Sequence, residues 1–276
     1  MRKISLGDPV LNVKYLKSGI IKIKNSGKPK EWPSNITRKL EYWAEKKPNQ
    51  IYLAERNNLN NWKTLTYKET LKRIKSLSFY LSTKNLSEKS PLIILSGNDL
   101  NHATIALTCL YSNIPYSAIS PSYSLLSNDF KKLDSVLKIL KPGFVFVSDG
   151  HLFKAAIDKI GLSKDKIIVG NNPLKGNLLL EDIIEKYFNF QNTCFKTNSN
   201  QVAKFLFTSG STGSPKAVIQ THGMLSSNMA MALKAYKFLE KEPPTVVDWM
   251  PWSHTAGGNK VFNMVLYAGG TFYIDK

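Results

Sequence analysis

The stretch TSGSTGSPK at residues 208–216 follows directly on the apolar run Ala203–Phe207. Its glycines allow the backbone to adopt positive φ and to approach a ligand closely, and its hydroxyls donate hydrogen bonds to phosphate oxygens. A lysine ends the stretch and adds a compact positive charge. Together these residue types predict a loop that binds a triphosphate or pyrophosphate. Its candidate ligands are Thr208, Ser209, Gly210, Ser211, Thr212, Gly213 and Lys216.

Two better-known phosphate loops do not fit this stretch. A Walker loop aligned on Lys216 requires glycine before the lysine and serine or threonine after it, whereas this chain has Pro215 and Ala217. Proline has no N–H to donate to a phosphate and its φ is restricted. A dinucleotide fingerprint also fails, because Gly210 and Gly213 lack the initial G-x-G. The loop must therefore be built differently from both.

A second motif lies downstream, DWMPWSHTAGGN at residues 248–259. A cluster of Ser, Thr, Gly and Pro alone is also typical of an ordinary loop, but two motifs in this order argue against that interpretation. Both resemble motifs of the adenylate-forming enzymes, the superfamily of acyl-CoA synthetases, luciferases and nonribosomal-peptide adenylation domains. Residues 113–116, 120–124 and 129–133 look like those of feruloyl-CoA synthetase relatives. The resemblance extends from about Trp32 onward.

The resemblance implies a two-step ligation that uses ATP, Mg²⁺ and CoA. A carboxylic acid would form an acyl-adenylate with release of pyrophosphate, and the CoA thiol would then displace AMP. Lys216 and His254 would be the catalytic residues, and Thr208 would help to bind Mg²⁺. The implied substrate residues are Trp252, His254, Gly257 and Gly258. A feruloyl or hydroxycinnamoyl-type acid is the expected substrate.

Relatives of this kind are longer, and the resemblance divides the chain accordingly. Residues 1–31 are expected to form a basic, extended arm, and residues 32–276 the amino-terminal part of the adenylation domain. The Thr-Glu motif, the ribose aspartate, the hinge and the carboxy-terminal lid of the superfamily do not occur in the sequence. We therefore expect a chain that is inactive alone and needs its missing half. Two alternatives stay open: a nucleotide-binding remnant, and a member that activates fatty or amino acids.

Composition and hydropathy argue against a nucleic-acid-binding protein and against a membrane-spanning one. The formal charge is +18, but only Arg2, Arg38, Arg56 and Arg73 of the 38 basic residues are arginines. The lysines are scattered without an aromatic-interleaved stripe, which argues against a nucleic-acid partner. No apolar run is long enough to span a membrane, and no signal-peptide core follows the first residues, so we expect a cytoplasmic protein. The oligomeric state, including a homodimer, is open.

Short apolar strands alternate with helical segments, a pattern that predicts an α/β fold with mostly parallel sheets flanked by helices. The predicted strands are Ile51–Glu55, Leu92–Ser96, Tyr116–Ile119, Phe144–Ser148, Lys166–Val169, Lys204–Phe207 and Val246–Met250. Thr66 and Glu69 form a predicted capping box, and Thr221 is expected to cap a helix that runs toward Leu239. We expect structural roles for His102, His151 and His222, buried or inert thiols at Cys109 and Cys194, and an exposed sheet edge at Thr271–Asp275.

Overall fold

The computed structural model describes residues 4–27, 31–57, 59–127, 129–190, 194–209 and 215–275. These residues form three sheets and the helices that pack on them. The strands are β1 (Leu11–Tyr15), β2 (Ile21–Asn25), β3 (Ile51–Arg56), β4 (Trp62–Thr66), β5 (Leu92–Leu95), β6 (Tyr116–Ile119), β7 (Phe144–Asp149), β8 (Ile167–Asn171), β9 (Leu178–Leu179), β10 (Val202–Ser209), β11 (Pro215–Thr221), β12 (Thr245–Asp248) and β13 (Thr271–Ile274).

The α-helices lie mostly between these strands, as the alternating pattern predicts. They are α1 (Arg38–Lys46), α2 (Tyr67–Ser82), α3 (Leu100–Tyr111), α4 (Pro121–Ser124), α5 (Lys131–Leu140), α6 (Lys154–Ile160), α7 (Leu180–Lys186), α8 (His222–Ala235) and α9 (Phe262–Ala268). Short 3₁₀ turns lie at Lys164–Lys166 and Lys237–Glu240, and a π-helical segment at Thr255–Val261 leads into α9. No helix in the described ranges has the length and apolar character needed to cross a membrane.

The large sheet has the strand order β11-β10-β6-β5-β7-β8-β9, and all its pairs are parallel except β10 with β11. The smaller sheet has the order β12-β13-β3-β4, with only β3 and β4 antiparallel. Helix α3 contacts β5 and β7 of the large sheet and β3 of the smaller one, so it lies between them. The predicted fold class, mostly parallel sheets flanked by helices, is confirmed.

Alternate residues of the central strands enter two different hydrophobic cores. Leu92 and Ile94 of β5 face the core that contains α2 and α3, whereas Ile93 and Leu95 face the core that contains α5 and α6. Both faces of the strand are therefore buried. This explains why the parallel strands appear in the sequence as continuous apolar runs.

Side chains cap the first turns of the helices where the sequence predicts them to. Thr66 and Glu69 form a reciprocal capping box at α2. Asp99 caps α3 by accepting a hydrogen bond from the His102 N–H at 2.6 Å. Thr221 caps α8 by accepting one from Met224, but α8 ends at Ala235, short of the predicted Leu239. A 3₁₀ turn follows instead.

The structure contradicts one further expectation, the exposed strand edge, and adds detail to two others. The extended arm contains an antiparallel hairpin, β1 with β2, because Gly19 at φ 76° turns the chain between two alternating runs. The strand at Thr271–Ile274 is not an edge, since β12 and β3 pair with its two sides. Cys109 is buried, as expected, and burial raises the pKa of its thiol, but Cys194 is exposed.

Candidate functional site

A cavity of about 370 Å³ lies where the carboxyl ends of strands from the two sheets meet. The loop after β5 supplies one wall, and the segment after β12 supplies the opposite wall. Open α/β sheets bind ligands at this end of their strands, because the loops there converge while the strands hold them rigidly. The lining residues are Ser96, Gly97, Asn98, Asp99, Pro121, Ser148, Trp249, Pro251, Trp252, Ser253 and Asp275.

The two walls are joined by the side chain of Asn98. Its Nδ2 donates to the carbonyl of Met250 at 2.8 Å, and its Oδ1 accepts from the backbone N–H of Trp252 at 3.0 Å. An amide is suited to this role because it donates and accepts at once. The loop after β5 and the segment after β12 are therefore held in a defined position relative to each other.

Trp252, a predicted substrate residue, lines the cavity but is mostly buried in the core behind it. Its ring lies edge-on to His102, with ring centroids 5.1 Å apart, and 4.7 Å from the ring of Phe262. The carbonyl of Gly97 accepts a hydrogen bond from His102 Nδ1 at 2.9 Å. Burial lowers the pKa of His102 to about 4. The neutral imidazole thus supports both the Gly97 loop and the Trp252 ring, the structural role that we expected for it.

His254 lies just beyond the lining residue Ser253 and is exposed. It caps the π-helical segment Thr255–Val261, because its Nδ1 accepts a hydrogen bond from the Ala256 N–H at 3.2 Å. Nδ1 is engaged by the backbone in this geometry. Nε2 is the ring nitrogen that the cap leaves for another hydrogen bond. Short π-helical turns occur frequently at functional sites.

The predicted substrate glycines Gly257 and Gly258 are buried in this segment. A Cβ on Gly258 would lie 2.1 Å from the carbonyl oxygen of Trp252, and one on Gly257 would lie 2.5 Å from that of Met250. The atoms that lie so close to these two glycines belong to the chain's own backbone. These glycines therefore let the π-helical segment pack directly on the cavity wall formed by residues 250–252.

Thr208 and Lys216 lie opposite each other in the antiparallel ladder of β10 and β11. Both are exposed. The predicted ligands Gly210, Ser211, Thr212 and Gly213, and the side chain of Ser209, lie outside the described residues. Because β10 is parallel to β6, the carboxyl end of β10, where Thr208 lies, is at the same end of the sheet as the cavity. Thr208 and Lys216 therefore lie at the end of the sheet where the sequence predicts a phosphate-binding loop.

Sequence reasoning missed several residues around the cavity. Asn98 and Asp99 follow an apolar strand in the pattern Ser-Gly-Asn-Asp, which signals a polar loop at a strand end. Asp275 holds the same position after β13. The described residues contain no group of three or more His, Cys, Asp or Glu side chains that could hold a metal ion.

The sequence matches the profile of the AMP-binding enzyme family over residues 40–276. It is 20% identical over 244 residues to a polyketide synthase-nonribosomal peptide synthetase of Aspergillus clavatus, covering 88% of this chain and 5% of that protein. It is 24% identical over 238 residues to the long-chain-fatty-acid–CoA ligase heimdall of Drosophila melanogaster, covering 79% of this chain and 34% of that protein. The chain thus spans only a small part of these relatives' lengths.

The fold is similar to that of a fatty acyl-adenylate ligase from L. pneumophila, solved in complex with acyl adenylate and pyrophosphate. The TM-score is 0.68 at 20% sequence identity, and the match covers 88% of this chain and 40% of that one. This structural similarity supports the fold. Membership of the family rests on the sequence match, which covers residues 40–276. The chain belongs to the AMP-binding enzyme family.

Proposed function

We propose that this chain is the amino-terminal part of a carboxylic acid–CoA ligase that works through an acyl-adenylate. The observation that carries the proposal is the position of Thr208 and Lys216. They face each other where β10 ends and β11 begins, at the same end of the sheet as the cavity. A triphosphate bound at the hairpin would have its α-phosphorus directed toward an acid near the cavity.

The proposed reaction has two steps. An oxygen of the acid's carboxylate attacks the α-phosphorus of ATP, the bond to the bridging oxygen breaks, and pyrophosphate leaves. The thiolate of CoA then attacks the acyl carbonyl and AMP leaves. Negative charge develops on pyrophosphate in the first step, and groups already positioned around it stabilise that charge. Charge-assisted hydrogen bonds suited to this task contribute about 1.5–3 kcal/mol each.

Each site residue has a role in this scheme. Ser209 through Gly213 would hold the β- and γ-phosphates, and Lys216 would neutralise the departing pyrophosphate. His254 would orient the carboxylate through the ring nitrogen that its helix cap leaves available. Trp252 would border the acyl route, with Gly257 and Gly258 keeping the π-helical segment close to it.

Among these residues, one side chain is suited to binding Mg²⁺. Thr208 is exposed at the strand end and offers a hydroxyl oxygen. Since no group of three or more His, Cys, Asp or Glu side chains suited to a metal occurs among the described residues, phosphate oxygens and water would supply the other ligands. Bound there, Mg²⁺ would supply charge neutralisation for the triphosphate.

Similar proteins support the acid-activating chemistry. One is named a fatty-acid–CoA ligase, and the L. pneumophila enzyme was solved with acyl adenylate and pyrophosphate. Within this chemistry we propose an aromatic acid of the feruloyl or hydroxycinnamoyl type, on the resemblance carried by residues 113–133. A fatty-acid or amino-acid substrate is the alternative that the names of these relatives favour. Cytoplasmic location and a homodimer stay predictions.

Acid-dependent exchange of pyrophosphate into ATP tests the proposal. The assay should compare hydroxycinnamates, fatty acids and amino acids, using this chain and a polypeptide that continues past Lys276 in its gene. We expect weak ATP binding without turnover from the chain alone, and exchange with hydroxycinnamates from the longer polypeptide. Exchange with fatty or amino acids only would reassign the substrate. ATP binding without acid-dependent exchange in the longer polypeptide would identify a nucleotide-binding remnant.

A further inference from the structure

Lys204 is a charged residue in the interior of the molecule. It lies within β10 and is 1% exposed. In the sheet it is directly opposite Tyr116 of β6 on one side and Gln220 of β11 on the other. Side chains of directly opposed residues project from the same face of a sheet, so these three form one row. The Lys204 Nζ lies 5.1 Å from the centroid of the Tyr116 ring.

This amine has no acidic partner among the described residues. Two titratable groups on α3 lie near this row: His102 interacts with Lys204, and Cys109 interacts with Tyr116. Neither of them is a carboxylate that could pair with the amine. Burial without a counter-charge lowers the pKa of Lys204 to about 7. Lysine is almost never fully buried unless it is paired. Its position in the core therefore requires a physical explanation.

The row is connected to the π-helical segment that begins after His254. Asn259, in that segment, donates a hydrogen bond from its Nδ2 to Gln220 Oε1 at 3.3 Å. Asn259 is buried, and its Oδ1 has no hydrogen-bond partner among the described residues. Asn259 lies five positions after His254, so this segment connects the histidine next to the cavity with the buried row.

Further polar atoms without partners lie on a neighbouring helix. Both ring nitrogens of His222 and the hydroxyl of Ser226 are buried and make no hydrogen bond within the part of the chain that the structure describes. The two residues are one turn apart on the buried face of α8, whose Leu225 and Met229 enter the same core as Tyr116. Most buried polar groups in proteins are hydrogen-bonded, so a group of exceptions on adjoining elements indicates a place for a ligand.

We propose that the row of Tyr116, Lys204 and Gln220, together with Asn259, forms the far end of the acid's binding site. It selects acids that carry a hydrogen-bonding oxygen opposite the reacting carboxylate. This inference rests on the proposed function, because His254 marks the carboxylate end of the same segment. Lysine and amide N–H groups donate to a phenolic oxygen or to a second carboxylate, and the amide oxygens accept from a hydroxyl.

An acid without this oxygen would enter the site and leave Lys204 and the Asn259 Oδ1 without hydrogen-bond partners. Sites that are built to hydrogen-bond a substrate group discriminate strongly against analogues that lack the group, for this reason. We expect the chain to bind 4-hydroxycinnamate at least tenfold more tightly than cinnamate. A second pair, adipate and hexanoate, tests recognition of a second carboxylate. Comparing the two pairs shows whether the site prefers a phenol or a carboxylate.

The test measures binding of these four acids by calorimetry to the wild-type chain and to Lys204→Met, with exposed Lys24→Met as the matched control. Lys204→Met should lose the preference for the oxygen-bearing acid by weakening its binding at least tenfold, while cinnamate or hexanoate binds as before. The control should retain the wild-type preference. Retained preference in Lys204→Met would overturn the inference and leave the lysine a structural role.

Carbon-13 labelling of the lysine side chains provides a second readout that does not depend on the variant folding. The Lys204 resonance should shift on addition of the preferred acid and not on addition of its apolar analogue. Equal shifts with both acids would contradict the inference. Absence of any acid binding would overturn this inference and the proposed function together, whereas binding without discrimination would overturn the inference alone.

Discussion

Asn98 Oδ1 accepts a hydrogen bond from the backbone N–H of Trp252, 3.0 Å away and 154 residues later in the chain. The same amide donates to the carbonyl of Met250. One side chain from the loop after β5 thus satisfies two backbone groups of the segment after β12. The wall of the cavity that carries Trp252 depends on this amide, and so does the start of the π-helical segment at His254.

Replacement of Asn98 with alanine should destabilise the protein by about 1–3 kcal/mol, because two backbone groups lose their partners. Asn98→Asp should be destabilising as well, since a carboxylate accepts from Trp252 but repels the Met250 carbonyl. Urea denaturation followed by tryptophan fluorescence measures both effects. Asn12→Ala, at an exposed position in β1, is the control and should change little. A stable Asn98→Ala variant with unchanged fluorescence would show that the amide is dispensable.

Replacement of Gly258 with alanine should cost about 1–3 kcal/mol, because overpacking displaces neighbouring backbone. The added Cβ would lie 2.1 Å from the Trp252 carbonyl oxygen, which belongs to rigid backbone. Gly97→Ala is the matched control, because no atom lies within 4 Å of its Cβ position. Thermal denaturation of the two variants gives the comparison. Equal melting temperatures would mean that the π-helical segment can shift without cost.

Stability should fall as the pH is lowered from neutral. Burial lowers the pKa of His102 from 6.5 to about 4, so between these values the unfolded chain binds a proton that the folded chain does not. The contribution is fully present above pH 6.5 and is lost as the pH falls through about 4, on the order of 3 kcal/mol. The pKa of His222 is lowered to about 4 by burial, with the same sign.

Urea denaturation between pH 7.5 and 4 measures this dependence. His102→Gln should flatten the curve, because the variant has no imidazole to protonate in the unfolded state. His151→Gln changes an exposed histidine in the turn after β7 and should leave the curve as in the wild type. Identical curves for His102→Gln and the wild type would contradict the burial of a neutral imidazole.

Replacement of Lys216 with alanine should weaken binding of pyrophosphate and of Mg·ATP roughly ten- to hundredfold, the equivalent of one charge-assisted hydrogen bond. The side chain is exposed, so stability should change by no more than about 0.5 kcal/mol. Calorimetric titration and denaturation give the two values. Lys14→Ala on the exposed strand β1 controls for the loss of a positive charge. Equal affinity in Lys216→Ala and Lys14→Ala would remove Lys216 from the phosphate site.

Sequence patterns located the buried strands and the local caps. The strand at Tyr116–Ile119 begins and ends as expected, and the capping box of Thr66 and Glu69 forms as expected. These features depend on neighbouring residues, so the sequence contains the whole signal. Two antiparallel edge strands, β4 and β11, were missed. Both carry polar and exposed residues, and neither shows the continuous apolar run of a strand buried on both faces.

The sequence by itself determined the parallel α/β class and predicted a phosphate-binding stretch, because periodicity and glycine chemistry are local properties. It also located the motif that contains Trp252 and His254. Only the tertiary structure decided that Asn98 joins the cavity walls, that His102 supports Trp252, and that Lys204 lies between Tyr116 and Gln220. These contacts depend on strand order and on the packing of two sheets around α3, which bring together residues from distant parts of the chain.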